Sequence, residues 1–148
     1  MKKNKIIVAS TFYNRAGAPA GFWEMMSNPT FEGMPQQLKD AFLKINPDTN
    51  ALYKMYERDV ARMQSFPDIT DEQMKSIKAP AFIIAGDRDV TTAEHAVEMH
   101  NLLSNSRLAI IPGGHGEYIG EITTPQDSSL IAATVSMVNK FLSDGIGK

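Results

Sequence analysis

Residues 77–118 have the sequence IKAPAFIIAGDRDVTTAEHAVEMHNLLSNSRLAIIPGGHGEY, in which two apolar runs flank a helical pattern. The runs at 80–86 and 107–111 are nearly continuous in apolar residues, which is typical of parallel strands covered on both faces. The segment 92–103 between them has helical periodicity. A strand, a helix and a strand in this order predict a parallel βαβ unit with a right-handed crossover.

The rest of the chain extends this pattern in both directions. An apolar run at 5–10 predicts another strand, and 126–143 predicts a closing helix. Between them, the stretch 11–78 contains helical patterns, including 48–65 and a helix capped by Thr70. This insert is too long for a simple crossover, so we expect a lid over the carboxyl ends of the strands. The predicted fold class is α/β, with about three parallel strands flanked by helices and a helical lid insert.

The composition narrows the classes of function. The chain has 148 residues, a formal net charge of −2 and no cysteine. The acidic balance argues against a broad nucleic-acid surface, and the lack of cysteine excludes disulfides and thiol catalysis. No apolar run is long enough to span a membrane, and the basic start MKKNK is not followed by the apolar core of a signal peptide. We therefore expect a soluble, cytoplasmic protein.

Polar loops follow two of the predicted strands. Asp87 and Asp89 lie in the loop at 86–92, and His115 lies in the glycine-rich loop at 112–118. If the two strands are neighbours in a parallel sheet, both loops emerge at the same edge and a carboxylate can meet the imidazole. Such a carboxylate fixes the imidazole tautomer and stabilises the imidazolium that forms on proton uptake. The loops therefore predict the acid and the base of a nucleophilic triad; the alternative is that His115 is a solvated turn residue.

This arrangement resembles the carboxyl-terminal part of the α/β-hydrolase fold family. That family commonly has proline, an apolar strand, Gly-x-x-Asp, a helix, a strand and Pro-Gly-x-Gly-His or a close relative, and residues 77–118 follow this order. The resemblance implies that Asp89, three residues after Gly86, is the triad acid and that His115 is the base. Asp87 is the rival acid, and its position is more consistent with bracing the turn.

The chain departs from the family pattern at the nucleophile. No Gly-x-Ser-x-Gly occurs in the 148 residues, and the resemblance places that motif before the strand at 5–10. Ser10 follows this strand, but it has no flanking glycines, so we do not predict it as the nucleophile. We expect 1–148 to be a single carboxyl-terminal fragment of a hydrolase domain. In it, 11–78 form the lid-like insert and 79–148 form a strand-helix-strand-helix unit that carries the Asp and the His.

The resemblance implies a hydrolytic reaction in the intact parent enzyme. A serine would attack a small-molecule ester, amide or related acyl substrate, with His115 as general base, Asp89 orienting it, and no metal or organic cofactor. Without the nucleophile, we expect the isolated chain to be a poor catalyst. The strand at 5–10 would be an unpaired edge, so we expect a homo-oligomer or pairing with an amino-terminal half. The alternative function is a non-catalytic half-domain that acts by association through this edge.

Three other features have simpler interpretations than a second site. His95, Glu98 and His100 lack the His-Glu-x-x-His spacing of a metal site and are interpreted as polar residues on a helix surface, with His100 partly packed. The stretch GGHGEYIG at 113–120 lacks the Lys-Ser/Thr of a phosphate loop. A group of apolar residues in the insert forms either packing between helices or an acyl pocket: Phe22, Trp23, Met25, Met26, Tyr53, Met55 and Tyr56.

Overall fold

The computed structural model describes residues 4–144. Its three strands form one parallel sheet in the order β1–β2–β3. The strands are β1 (Ile6–Ala9), β2 (Ala81–Gly86) and β3 (Ser106–Ile111). All of β2 is buried, whereas β1 and β3 lie at the two edges. The predicted parallel sheet is confirmed, with strand ends that differ by at most one residue from the predicted ones.

Six α-helices and two 3₁₀ helices complete the described part of the chain. The α-helices are α1 (Phe22–Met25), α2 (Gln36–Ile45), α3 (Thr49–Gln64), α4 (Asp71–Ser76), α5 (Ala93–Leu102) and α6 (Ser128–Ser143). The 3₁₀ helices are Arg15–Gly17 and Glu117–Ile119. The chain divides into two compact units: a helical unit, Ala20–Pro67, and a sheet unit formed by the residues before and after it. Within residues 4–144, no helix is both long and apolar enough to cross a bilayer.

The sheet unit has a core on each face of the sheet. Alternate side chains of a strand point to opposite faces, so Ile83 packs with Ala96 on one side while Ile84 packs with Tyr118 and Phe141 on the other. This double burial explains why β2 is a continuous apolar run rather than an alternating one. It also makes β2 a rigid support for the loop that follows it.

The register of the sheet brings the three strand ends together. Ala9 pairs with Ile84, and Gly86 pairs with Ile111. Because all three strands are parallel, the residues that follow them leave the sheet at the same edge. These residues are Ser10 after β1, Asp87 after β2 and Pro112 after β3.

The compact helical unit is shorter than the insert predicted over 11–78. Residues on both sides of it pack with the sheet: Tyr13 and Met74 belong to the same core cluster as Ile83. In addition, the backbone N–H of Ile69 donates to the carbonyl oxygen of Tyr13 at 2.8 Å. The predicted cap of α4 is confirmed as a capping box between Thr70 and Gln73. The role of the helical unit as a lid stays a prediction.

The helical unit contains an apolar cavity of about 490 Å³. Four of the seven apolar residues singled out from the sequence line it: Met25, Met26, Met55 and Tyr56. The others make ring contacts. Phe22 lies edge-on to Trp23 with 5.0 Å between centroids, and Tyr53 contacts the ring of Phe31 at 5.3 Å. These apolar residues therefore divide between packing and lining a cavity.

The interpretation of His95 as a helix-surface residue is wrong. Its side chain is buried, with the whole residue only 3% exposed. The ring stacks on Tyr13 with 4.6 Å between centroids, and Nε2 accepts a hydrogen bond from Tyr13 N–H at 3.3 Å. Nδ1 lies 3.0 Å from Glu98 Oε2 at the surface. The stacking partner comes from the segment after β1, so the pattern of α5 alone gives no sign of this burial.

Candidate active site

Asp89 and His115 meet at the carboxyl edge of the sheet. Asp89 lies in the loop after β2, and His115 lies in the loop after β3. His115 Nδ1 is 2.8 Å from Asp89 Oδ1, although the two residues are 26 positions apart in the chain. The structure therefore brings together the two residues that the sequence proposes as acid and base.

The Asp89 carboxylate is completely buried but fully supplied with hydrogen-bond donors. Its side chain is 0% exposed. It accepts hydrogen bonds from His115 Nδ1 at 2.8 Å, Ser10 Oγ at 2.5 Å, Gly86 N at 3.1 Å and Val90 N at 2.7 Å. Burial by itself raises the pKa of Asp89, but the hydrogen bonds from His115, Ser10 and Gly86 outweigh it and hold the pKa at about 2. The group is therefore an anion at neutral pH.

His115 is oriented by this anion and faces solvent. Its side chain is 51% exposed. An ionised carboxylate only accepts hydrogen bonds, so neutral His115 carries its proton on Nδ1 and keeps Nε2 as the proton acceptor. The hydrogen bond to Asp89 raises the pKa of His115, burial opposes this effect, and the charges of Asp89 and Glu121 add to the rise. An imidazole held in this way can accept a proton at Nε2.

Asp87 has a different partner. Its Oδ1 accepts a hydrogen bond from Gly113 N–H at 2.8 Å, and its side chain is half exposed beside Arg88 at 3.7 Å. This contact joins the loop after β2 to the loop after β3. The structure therefore pairs His115 with Asp89 and gives Asp87 the bracing contact.

The two loops approach each other so closely that one position must be glycine. A Cβ atom added to Gly86 would overlap the carbonyl oxygen of Gly113 and lie 2.8 Å from that of Gly114. Backbone hydrogen bonds reinforce the contact, since Arg88 N–H donates to Gly113 O at 3.0 Å. Gly116, directly after His115, has a φ of 66°, which favours glycine. The close approach of the loops therefore requires glycine at position 86, and the backbone conformation favours it at position 116.

Sequence reasoning missed Ser10 and Tyr118 as members of this site. Ser10 Oγ lies 2.7 Å from Tyr118 Oη and accepts a hydrogen bond from Gly116 N–H at 3.2 Å. Tyr118 is fully buried, and its hydroxyl donates to the carbonyl oxygen of Ile84 at 3.0 Å. The available signal was position: Ser10 directly follows β1 at the edge where the Asp and the His emerge. Ser10 binds Oδ2 of Asp89 and His115 binds Oδ1, so the two residues share the oxygens of one carboxylate.

No metal site accompanies this arrangement in the described part of the chain. Residues 4–144 contain no group of three or more His, Cys, Asp or Glu side chains placed to hold a metal ion. His95 and Glu98 contact each other, and His100 instead contacts the hydroxyl of Ser106 at 2.8 Å.

Comparisons with known proteins show the fold. No protein-family model and no curated protein matches the chain. Among solved structures, the enol-lactonase from Burkholderia xenovorans LB400 matches with a TM-score of 0.60 and 17% identity, over 95% of this chain and 56% of that one. A meta-cleavage product hydrolase from Pseudomonas fluorescens IP01 matches with a TM-score of 0.56 and 17% identity, over 94% and 55%.

A third match is an esterase from Pyrococcus furiosus, with a TM-score of 0.56 and 19% identity, over 97% of this chain and 46% of that one. The chain therefore spans about half the length of the structures that it matches. All three are α/β-hydrolases, and the chain has the fold of the carboxyl-terminal portion of such a protein.

Proposed function

We propose that this chain is the carboxyl-terminal part of a serine hydrolase that acts on an ester, amide or related acyl substrate. His115 is the general base and Asp89 orients it. The observation that carries the proposal is the contact between a buried, anionic Asp89 and Nδ1 of a half-exposed His115. This combination supports proton transfer at Nε2, because a buried anion stabilises the imidazolium that forms there.

The proton path follows from this geometry. His115 Nε2 takes the proton of the attacking serine as the serine oxygen bonds to the acyl carbon. The imidazolium then gives the same proton to the leaving group as the acyl bond breaks. Asp89 keeps its charge throughout, since its four hydrogen bonds and its pKa of about 2 favour the ionised form.

The nucleophile and the oxyanion donors are proposed to come from outside these 148 residues. The sequence contains no Gly-x-Ser-x-Gly, and the matched structures are about twice as long as the chain. Ser10 does not replace the nucleophile, because its hydroxyl is directed to Asp89 Oδ2. The matched esterase and enol-lactonase support an ester or lactone as the substrate class.

The coding DNA upstream of the Met1 codon tests this proposal. We expect an in-frame segment that encodes Gly-x-Ser-x-Gly, and we expect the complete product to react with a fluorophosphonate probe at that serine. An in-frame stop codon directly upstream, together with the absence of labelling, would contradict the proposal.

The edge strand favours a second candidate function, association without catalysis. Within the described residues β1 pairs with β2 alone, and Ile7 in β1 is 38% exposed. An apolar edge of this kind can add a strand from a second copy or from an amino-terminal half. Light scattering at micromolar concentration should then show a dimer that Ile7→Lys converts to monomer, with Ile119→Lys as the exposed control. A monomeric wild-type chain would contradict homo-association.

A further inference from the structure

Ser10 adopts a backbone conformation that side chains disfavour. Among the described residues, Ser10 alone combines a side chain with a positive φ, which is 48°. A residue with a Cβ atom enters this left-handed region only at a cost, and such residues concentrate at functional sites. The conformation is held by the Ser10 N–H, which donates to the carbonyl oxygen of Ile84 at 2.9 Å. The strained turn at the end of β1 directs the Ser10 hydroxyl to the acid of the site.

The protons of this cluster can be assigned by donor and acceptor count. Asp89 is an anion and only accepts, so the single Ser10 hydroxyl proton points to Asp89 Oδ2 at 2.5 Å. Ser10 Oγ therefore acts as an acceptor toward Gly116 N–H. The Tyr118 hydroxyl donates its one proton to Ile84 O, and its oxygen lies 2.7 Å from Ser10 Oγ. The Gly116 N–H and the Ser10 hydroxyl therefore form one chain of hydrogen bonds that runs from the loop of His115 to Asp89.

Ser10 joins the two halves of the acid–base pair. On one side it binds the carboxylate of Asp89, and on the other it binds the amide of Gly116, the residue directly after His115. These links span 79 and 106 positions of the chain, so they connect all three strand ends. His115 lies beyond the end of β3, and the Ser10 hydroxyl links its loop to the Asp89 carboxylate.

We infer that Ser10 is a positioning residue, which fixes the Asp89 carboxylate through Oδ2 and the His115 loop through Gly116 N–H so that Oδ1 faces Nδ1. The inference rests on the proposed function. It adds a residue to the acid side of the proposed triad. Two titratable groups, Asp89 and Glu121, affect the pKa of His115, and a third, Tyr118, contacts Ser10.

Nuclear magnetic resonance of the chain itself tests the inference. The Ser10→Ala variant loses the donor to Asp89 Oδ2 and the acceptor of Gly116 N–H. We expect the pKa of Asp89, followed at Cγ, to rise above about 2, since the Ser10 hydrogen bond lowers it. We expect neutral His115 to shift from the Nδ1–H toward the Nε2–H tautomer. Amide exchange of Gly116 should become faster by about fivefold to tenfold, the factor of one hydrogen bond.

Two further variants separate the hydroxyl from the backbone. Ser10→Gly relieves the left-handed strain but has no hydroxyl, so its thermal stability should exceed that of Ser10→Ala while the tautomer shift persists. Ser10→Thr keeps the hydroxyl and should keep the wild-type tautomer, while its branched Cβ adds strain at this positive φ and lowers thermal stability. Thr11→Ala removes the neighbouring exposed hydroxyl and is the matched control. An unchanged Asp89 pKa and an unchanged His115 tautomer in both Ser10→Ala and Ser10→Gly would overturn the inference.

The inference and the proposed function fail in different ways. The tautomer and the pKa are measured without substrate, so they can confirm the positioning role even in a chain that hydrolyses nothing. In a complete active enzyme, Ser10→Ala should lower kcat with little change in KM, because the residue touches no substrate. Hydrolysis that depends on His115 but is identical in wild type and Ser10→Ala would overturn the positioning role alone.

Discussion

The hydroxyl of Tyr118 donates a 3.0 Å hydrogen bond to the carbonyl oxygen of Ile84, in the middle of β2. This bond ties the segment after His115 to the central strand of the sheet. The same carbonyl oxygen accepts a hydrogen bond from Ser10 N–H. It therefore fixes both the residue after β1 and the segment after His115 to β2. The geometry of the contact between Asp89 and His115 therefore depends on a buried tyrosine that lies outside this contact.

Replacing Tyr118 by phenylalanine removes only this hydroxyl and keeps the buried ring. We expect Tyr118→Phe to lower the free energy of unfolding by about 1–2 kcal/mol, since it removes the buried hydrogen bond to Ile84 O and the contact with Ser10 Oγ. Urea unfolding measures the difference. Tyr53→Phe, at a half-exposed ring of the helical unit, is the control and should change stability by less than about 0.5 kcal/mol. Equal effects of the two changes would contradict the role of the Tyr118 hydroxyl.

Adding a methyl group at Gly86 should force the two loops apart. The new Cβ would overlap Gly113 O, and backbone atoms cannot move aside as a flexible side chain can. We expect Gly86→Ala to cost about 1–3 kcal/mol and to weaken the contact between Asp89 and His115. Gly114→Ala is the matched control, because its nearest contact is Glu117 Oε2 at 3.6 Å. Thermal unfolding of both variants gives the comparison, and a stable Gly86→Ala would show that the loops are looser than described.

The pairing of His115 with Asp89 should be visible in its titration. Because the hydrogen bond and charge of Asp89 raise the pKa of His115, Asp89→Asn should lower that pKa. Asp87→Asn, which removes a carboxylate of the same loop, should leave it near the wild-type value. The stability contributed by protonated His115 is fully present below pH 6.5 and is lost as the pH rises through the higher folded-state pKa. A larger shift in Asp87→Asn than in Asp89→Asn would identify Asp87 as the acid.

His95 should titrate at lower pH than His115 in the same spectra. Burial lowers the pKa of His95, and the charge and hydrogen bond of Glu98 only partly offset this. The unfolded chain therefore takes up this proton first, and the contribution of His95 to stability falls as the pH decreases below 6.5. Glu98→Gln should lower the pKa of His95 further and leave His115 unchanged. The opposite order of the two histidines would contradict the buried position of His95.

The sheet and the contact between Asp89 and His115 can be predicted from the sequence because both depend on simple regularities. Continuous apolar runs such as AFIIAG at Ala81–Gly86 indicate a strand buried on both faces. Parallel neighbours then require the loops of Asp89 and His115 to emerge at one edge. The choice of Asp89 over Asp87 as the acid rests on the family resemblance and stays a prediction, whereas the hydrogen bond between His115 and Asp89 is observed.

The residues that support this contact, Ser10 and Tyr118, cannot be predicted from the sequence, because their contacts join distant segments without a periodic pattern. Ser10 meets Asp89 across 79 positions and Tyr118 across 108. A serine after a strand has no feature that distinguishes it from a loop serine until its left-handed backbone is known. His95 is comparable: its burial depends on the ring of Tyr13, which lies 82 positions away.

Hydrolysis by the complete enzyme is the most direct measurement of the role proposed for His115. The product of the full open reading frame that contains this chain would be assayed with p-nitrophenyl acetate. We predict that His115→Ala lowers kcat by about 10⁴-fold or more, and that Asp89→Asn lowers it by up to about 10⁴-fold. His100→Ala, which changes the histidine bound to Ser106, should retain wild-type activity. Full activity of a folded His115→Ala enzyme would contradict the assignment of His115 as the base.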